Sequence, residues 1–239
     1  MSNALFPRKI YGMTQNVPKI AEFSTIVQKG SDPANTTRIA QTQNPIWHWE
    51  FTFEQLFDDL TNPNYVYSEL QTLFGFCLSM RGQRTTFFLD DPSDDFVGPA
   101  LDPDGSPNLQ AQLQVVNDGA GNYYSPIQRN FGGQFYEDIT DLNGPIVVYA
   151  NSALQANPAD YTILGPGLAI PGASFAGLYL KWVTAPAEPV TAELNFYFHV
   201  RFETDTTAFE QFLYGLWTAG GTESNKSEAL RIMTERRKT

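Results

Sequence analysis

Residues 190 to 202 read VTAELNFYFHVRF, and they alternate without a break. Val190, Ala192, Leu194, Phe196, Phe198, Val200 and Phe202 face one way, and Thr191, Glu193, Asn195, Tyr197, His199 and Arg201 the other. Side chains of a strand point alternately to its two faces, so this run predicts a long strand with one buried face. It is the strongest strand signal in the chain. A second run, Ile46 to Phe53 (IWHWEFTF), puts Trp47, Trp49, Phe51 and Phe53 on one face, with His48, Glu50 and Thr52 opposite. An all-aromatic face implies a strand laid against a core or a partner.

Other segments repeat the theme. Phe23 to Gln28 and Thr36 to Thr42 flank the turn GSDPAN and read as a hairpin with a longer loop. Phe87 to Leu89 begins a further strand. Residues 90 to 108 are rich in Asp, Pro and Gly and read as a loop and a boundary. Short strands then recur to about residue 185 (LQAQLQVV, NYYSPIQ, IVVYAN, DYTILG, GLYLKWV), separated by Gly- and Pro-rich turns. That pattern is one of a small β subdomain. One helix is clear. Asn62 suits an N-cap and Pro63 a first helical position, and Val66, Leu70, Leu73, Phe74 and Cys77 follow at helical spacing. Arg81 and Gly82 suit its C-terminus, giving a helix over 63–80. After Phe202, Thr204 or Asp205 suits a cap, and Phe209, Phe212, Leu213 and Leu216 fit helical spacing, with a strand as the alternative.

These readings predict a mainly β fold, a sandwich or barrel with one main flanking helix and an inserted small β subdomain. The expected divisions are a core over 1–105, an insertion over 106–185, and a return to the core over 186–239. A chain of 239 residues buries about 70% or more of its unfolded surface, so it needs no disulfide or metal to hold it.

Chemistry-bearing residues are sparse. The two histidines, His48 and His199, sit mid-strand on polar faces, and with one cysteine they form no zinc spacing. Cys77 falls on the apolar face of the helix and reads as a small core residue. No Gly-x-Ser-x-Gly elbow and no phosphate-cradling Gly-rich loop occurs. Asp90, Asp91, Asp94, Asp95, Asp102 and Asp104 invite a calcium reading, but DPDG lacks the third acid and the distal Glu of an EF-hand loop, and a solvated acidic loop is favoured. The chain is therefore expected not to be an enzyme and to hold no metal or cofactor. The net charge of −11 argues against duplex nucleic acid as a partner. It is uneven: the first 221 residues carry 10 basic and 23 acidic side chains, and the rest five and three. No stretch approaches 18 apolar residues, so no membrane span is expected, and MSNALFPRKI lacks the apolar core of a signal peptide. Charged residues are only 17% and aromatics 14%, a balance that suits a surface partly covered by neighbours. Trp47, Trp49, Trp182 and Trp217 are the candidate core or interface aromatics.

The order of segments resembles the distal tail proteins of long-tailed bacteriophages and gene transfer agents. FPRKIYG, a hairpin and IWHWEFTF stand where the family carries a Trp-containing strand. LFGFCLSMRGQRTTFFLDDPSDDF is similar to its helix, Arg/Gly turn, aromatic strand and Asp-rich turn. LQVVNDGAGNYYSPIQRNF and GPIVVYANSALQANPADYTILGPGLAI resemble its middle strands, and FYFHVRFETD its apolar strand ending in Val-Arg-Phe before an acid and Asp205. The end departs from the pattern, because GTESNKSEALRIMTERRKT is polar and helix-compatible where the family finishes on an apolar strand. The resemblance implies a tail-tube-like core and a homo-oligomeric ring, usually a hexamer, at the distal end of the tail tube. It implies the tube protein and a hub or baseplate protein as partners, synthesis in the host bacterial cytoplasm, and a place at the tail tip of the virion with DNA passing through the lumen. The alternatives are another minor tail or tube protein of similar fold, and a carbohydrate-binding β-sandwich with Tyr123, Tyr124, Tyr149, Tyr161 and Tyr179 as sugar-stacking candidates if exposed.

Overall fold

The long alternating run forms one strand, Val190–Phe202, in a computed structural model that describes residues 4–11, 13, 17–29, 36–40, 44–60, 63–165, 169–170, 173–174, 177–205, 207–223 and 226–235. The protein is mainly β, with one α-helix among the described residues and several antiparallel sheets. Two compact units share the chain. The outer unit takes residues 1–89 and 199–236, and the inserted unit is built on residues 90–198. The long strand belongs to the inserted unit up to Phe198 and to the outer unit from His199.

In the outer unit, β1 (Lys19–Glu22) pairs with β4 (Ile46–Phe51), and β4 pairs on its other side with Leu230–Thr234. The latter strand in turn pairs with the end of the long strand, setting Phe202 opposite Ile232. β2 (Thr25–Lys29) and β3 (Thr36–Ala40) form the expected hairpin. The aromatic run is interrupted at Thr52, after which β5 (Phe53–Phe57) pairs with Leu216–Glu223. Trp49, Phe51 and Phe53 are buried as the alternation requires. The helix α1 (Glu69–Met80) buries Leu73, Cys77 and Met80. Its Phe76 stacks edge-on with Phe6 and Phe87, and Phe87 lies 4.9 Å from Phe202, so one cluster of rings ties helix, sheet and N-terminal segment.

Four sequence expectations need correction here. α1 does not begin at Pro63: residues 63–67 are turns and bends, and Ser68 is the N-cap, its hydroxyl accepting from Gln71 N at 3.2 Å. Asn62 lies outside the described residues. Ser68 wins because Glu69 follows it at the positive end of the helix dipole, and its buried carboxylate also accepts from Tyr11 N at 2.9 Å. The helix ends at Met80 as expected, but Arg81 (φ 53°) takes the left-handed stop one residue before Gly82. The run after Phe202 is a hairpin, Ala208–Leu213 with Leu216–Glu223, so the strand alternative holds and the helical one fails. The polar C-terminal segment is not helical: Lys226–Glu228 and Leu230–Thr234 are strands, because Leu230 and Ile232 alternate into the core.

In the inserted unit the long strand is the organiser. Val147–Ala150 pairs with it, as do the short strands Phe96–Val97, Gln112–Leu113 and Asp141–Leu142. A second sheet runs Tyr161–Leu164, Tyr179–Trp182, Tyr123–Pro126, Val116–Asn117 in spatial order. Gln128–Phe131 and Phe135–Asp138 form a hairpin of their own. The chain closes tightly at Gly177, where an added Cβ would stand 2.6 Å from the Ile139 carbonyl oxygen.

Candidate functional site

The polar clusters come first, because catalysis or ligand binding would need one. In the outer unit His48 sits between two carboxylates. Its Nδ1 meets Glu203 Oε1 at hydrogen-bonding distance, and its Nε2 lies 2.8 Å from Glu22 Oε2, close enough for an ion pair but off the line of a hydrogen bond. Arg201 Nε donates to Glu235 Oε2 at 2.5 Å, and Arg231 Nε lies 3.1 Å from Glu50 Oε1. These pairs join neighbouring strands: Arg231 stands opposite Glu50 in register, and β4 carries both His48 and Glu50. The histidine is thus paired with neighbouring acids, a structural arrangement. His199 lies with its ring 5.9 Å from that of Phe88. Cys77 is buried, and burial pushes its thiol up to about 12, which keeps it protonated and unreactive.

The segment after the long strand has a definite local job. Asp205 Oδ1 accepts from Gln83 N at 2.9 Å, and Gln83 Nε2 donates to the Glu203 carbonyl. Gly82 makes this contact possible: it is left-handed, and a Cβ there would lie 2.6 Å from Asp205 Cα.

The inserted unit contains a buried charge that sequence reading missed. Arg129 is buried, and its Nε donates to Glu137 Oε2 at 2.7 Å while its Nη1 reaches Asp94. Its guanidinium lies 4.8 Å from the Phe131 ring, 4.9 Å from Phe198 and 5.5 Å from Phe196. Such an ion is tolerable only because both charge and ring partners surround it. Arg129 and Glu137 face each other across the hairpin in register. The run QRNFGGQFYED, two extended halves around Gly-Gly, carried that signal.

Nearby, the Asp-rich stretch divides into two kinds. Asp91 is buried and accepts from Ser93 Oγ at 2.7 Å, and Asp94 pairs with Arg129, so this part is not the solvated loop expected. Asp95 is pushed up to about 6, first by burial and then by its hydrogen bond to Asp90. Asp102 and Asp104 are exposed in a turn closed by Gly105 N donating to Asp102 O at 2.8 Å, and the Ser106 hydroxyl holds Asp104 below the usual carboxylate range. Among the described residues no group of three His, Cys, Asp or Glu is placed to hold a metal ion, and no helix is long and apolar enough to cross a membrane.

The four tryptophans occupy different environments. Trp49 is in the outer core, and Trp182 is buried in the inserted unit with Nε1 donating to Ser125 Oγ at 3.0 Å. Trp47 is half-buried with Lys19 Nζ 4.8 Å from its ring, and Trp217 is half-buried with a buried Nε1 lacking a hydrogen-bond partner. Of the five candidate sugar-stacking tyrosines, Tyr124, Tyr161 and Tyr179 are buried, and Tyr123 and Tyr149 are half-buried, so they make no open platform.

The surface shows the feature that needs explaining. Ile20 is 50% exposed, Phe23 61%, Val27 51% and Ile39 49%, all between β1 and β3. Charge is just as unevenly placed. Residues 90–198 carry two basic and 13 acidic side chains, while the rest of the chain carries 13 of each. Residues 90–198 therefore account for the whole net charge of −11. No family model and no curated protein matches this chain.

Proposed function

We propose that this chain is a structural virion protein of a phage tail, a distal tail protein that forms a ring joining the tail tube to the hub or baseplate. The observation that carries the reading is the number of large apolar side chains left exposed in the outer unit, among them Phe23, Val27, Leu60, Val66, Leu78 and Tyr214. Such a surface marks a site of protein–protein association. The order of motifs along the chain, the mainly β fold with one helix and the inserted β unit agree with that reading. Function here is geometry: subunits meet head to tail and close a ring, with one face for the tube and the other for the hub. The chain's acidity keeps DNA from adhering as it passes, since phosphate contacts need a basic footprint.

The test is the mass of the purified protein in solution, with negative-stain imaging of the same sample, alone and after addition of tube and hub proteins. A closed ring with a central hole of tube dimensions is expected in at least one of these samples. A protein that stays monomeric and binds neither partner overturns the proposal.

A further inference from the structure

We propose that the outward face of α1 packs antiparallel on the same helix of a second copy, across a two-fold axis near Gly75. The inference does not rest on the tail reading, whose head-to-tail contacts need other surfaces.

The first argument is what the helix shows to water. α1 buries Glu69, Leu73, Cys77 and Met80, a stripe at helical spacing that faces the core. On its other side Gln71, Phe74, Gly75, Leu78 and Ser79 are exposed. Residues three and four apart are neighbours on a helix, so these five form one continuous face. Phe74 is 45% exposed and Leu78 63%. None of the five is charged, and the one charged side chain of the helix, Glu69, is buried. The solvent side of a surface helix is ordinarily polar and charged, so this face has the composition of a covered one. Phe74 is also held in place, its ring meeting that of Phe209 edge-on at 4.8 Å. Gly75 lies between Phe74 and Leu78 on this face, and an added Cβ there would have nothing within 4 Å. A glycine inside a helix weakens it, but its bare backbone lets another helix come close.

The second argument is charge, and it selects the occupant. The two ends of α1 carry exposed side chains of opposite sign. At the N-terminal end Asp58 is fixed by accepting from Oγ of the cap residue Ser68 at 3.2 Å. At the C-terminal end stand Arg81, at the left-handed stop, and Arg84, in the short turn after it, neither in an ion pair among the described residues. Along the 12 residues of the helix, about 18 Å, the order is therefore acid, uncharged face, base. Such a pattern is complemented by its own reverse. A second copy laid antiparallel sets Arg81 of each chain toward Asp58 of the other, opposes the two helix dipoles, and meets Phe74 and Leu78 with the same apolar pair. A parallel copy would set like charges together. Two chains at −11 repel one another overall, and a face without carboxylates is where they can meet.

The experiment uses the full chain in four forms: wild type, Gly75→Lys, Arg81→Asp and a control, Leu154→Lys, whose site is 65% exposed on the strand Ala153–Gln155 of the inserted unit. Gly75→Lys puts a good helix former into open space, so melting curves are expected to show the fold kept or strengthened. Asp is among the residues that tolerate the left-handed conformation of Arg81. Both Lys substitutions reduce the net negative charge, so added overall repulsion does not account for a loss of association. Sedimentation over a concentration series is expected to show wild type and Leu154→Lys in species of twice the mass formed by Gly75→Lys, whether those are pairs or larger assemblies. Arg81→Asp is expected to weaken pairing by about tenfold, because the two-fold axis counts each lost charge pair twice, and high salt to remove most of that difference. Wild type matching Gly75→Lys in mass at every concentration overturns the inference and leaves the face to a different protein. Leu154→Lys failing to pair overturns it too, as does Arg81→Asp pairing as tightly as wild type.

Discussion

The outer and inserted units solve the same problem by different means. The outer unit is close to charge balance and holds itself with rings: each of Phe6, Phe51, Phe76, Phe87 and Phe202 lies within about 6 Å of at least one of the others. Residues 90–198, on which the inserted unit is built, have two cations against 13 acids and place one of them, Arg129, inside. That choice strengthens the interior network and leaves the surface of the unit with little to balance its carboxylates. A unit can thus be kept acidic outside because its scarce positive charge is committed inside. The price falls on robustness, since a buried ion is costly once any partner is removed.

That contrast can be broken at its strongest points. Arg129→Ala strands Glu137 and Asp94, and is expected to lower unfolding free energy by about 3–5 kcal/mol. Phe87→Ala in the outer cluster is expected to cost a similar amount, about 3–5 kcal/mol, through a cavity. Denaturant melts at two pH values separate the mechanisms. Acidification recovers part of the first loss by neutralising the abandoned carboxylates, and none of the second. A loss after Arg129→Ala that is indifferent to pH would show that its ring contacts, not its ion pairs, hold the unit.

Smaller changes sharpen the picture. Gly82→Ala adds a Cβ to a left-handed residue with Asp205 Cα 2.6 Å away, and about 2 kcal/mol of destabilisation is expected in thermal melts. Thr191→Val acts in the other direction. Thr191 is fully buried in the inserted unit, its hydroxyl has no hydrogen-bond partner among the described residues, and the isosteric methyl is expected to stabilise by about 1 kcal/mol. The gentlest probe is pH alone. Asp95 is raised to about 6, so the native inserted unit holds a proton that the unfolded chain has already released. Stability is therefore expected to fall as pH rises from about 4 to about 6 and then to level off, and Asp95→Asn removes that slope. A stability curve unchanged by Asp95→Asn counts against the shared proton.

Much of the fold was legible, and the failures share a cause. The strands at Ile46–Phe51 and Val190–Phe202 declare themselves because one face of each is buried along its length, which writes a period of two into the sequence. Phe209, Phe212, Leu213 and Leu216 fit helical spacing equally well, and only pairing with β5 and with each other makes them strands. The helix start was misplaced because Asn62-Pro63 and Ser68-Glu69 offer the same capping chemistry, and tertiary contacts from Asp58 and Tyr11 decide between them. Arg129 was invisible for a related reason: Asp94 is 35 residues away, and the rings of Phe196 and Phe198 are farther still. Where function depends on surfaces instead of a catalytic constellation, exposure decides, and the sequence does not record which apolar residues the core leaves out.

The order of the strands along the chain also governs how the molecule is made. Residues 90–198 are contiguous, so the inserted unit can begin folding as it emerges from the ribosome. The outer unit cannot finish then, because β4 awaits a partner strand, Leu230–Thr234, that follows the inserted unit in the chain. Until that strand is made the aromatic edge of β4 is held without its final neighbour, while an already compact, strongly acidic body follows it out of the exit tunnel. Like-charge repulsion between nascent chains on the same message would keep those unfinished edges apart until each sheet closes.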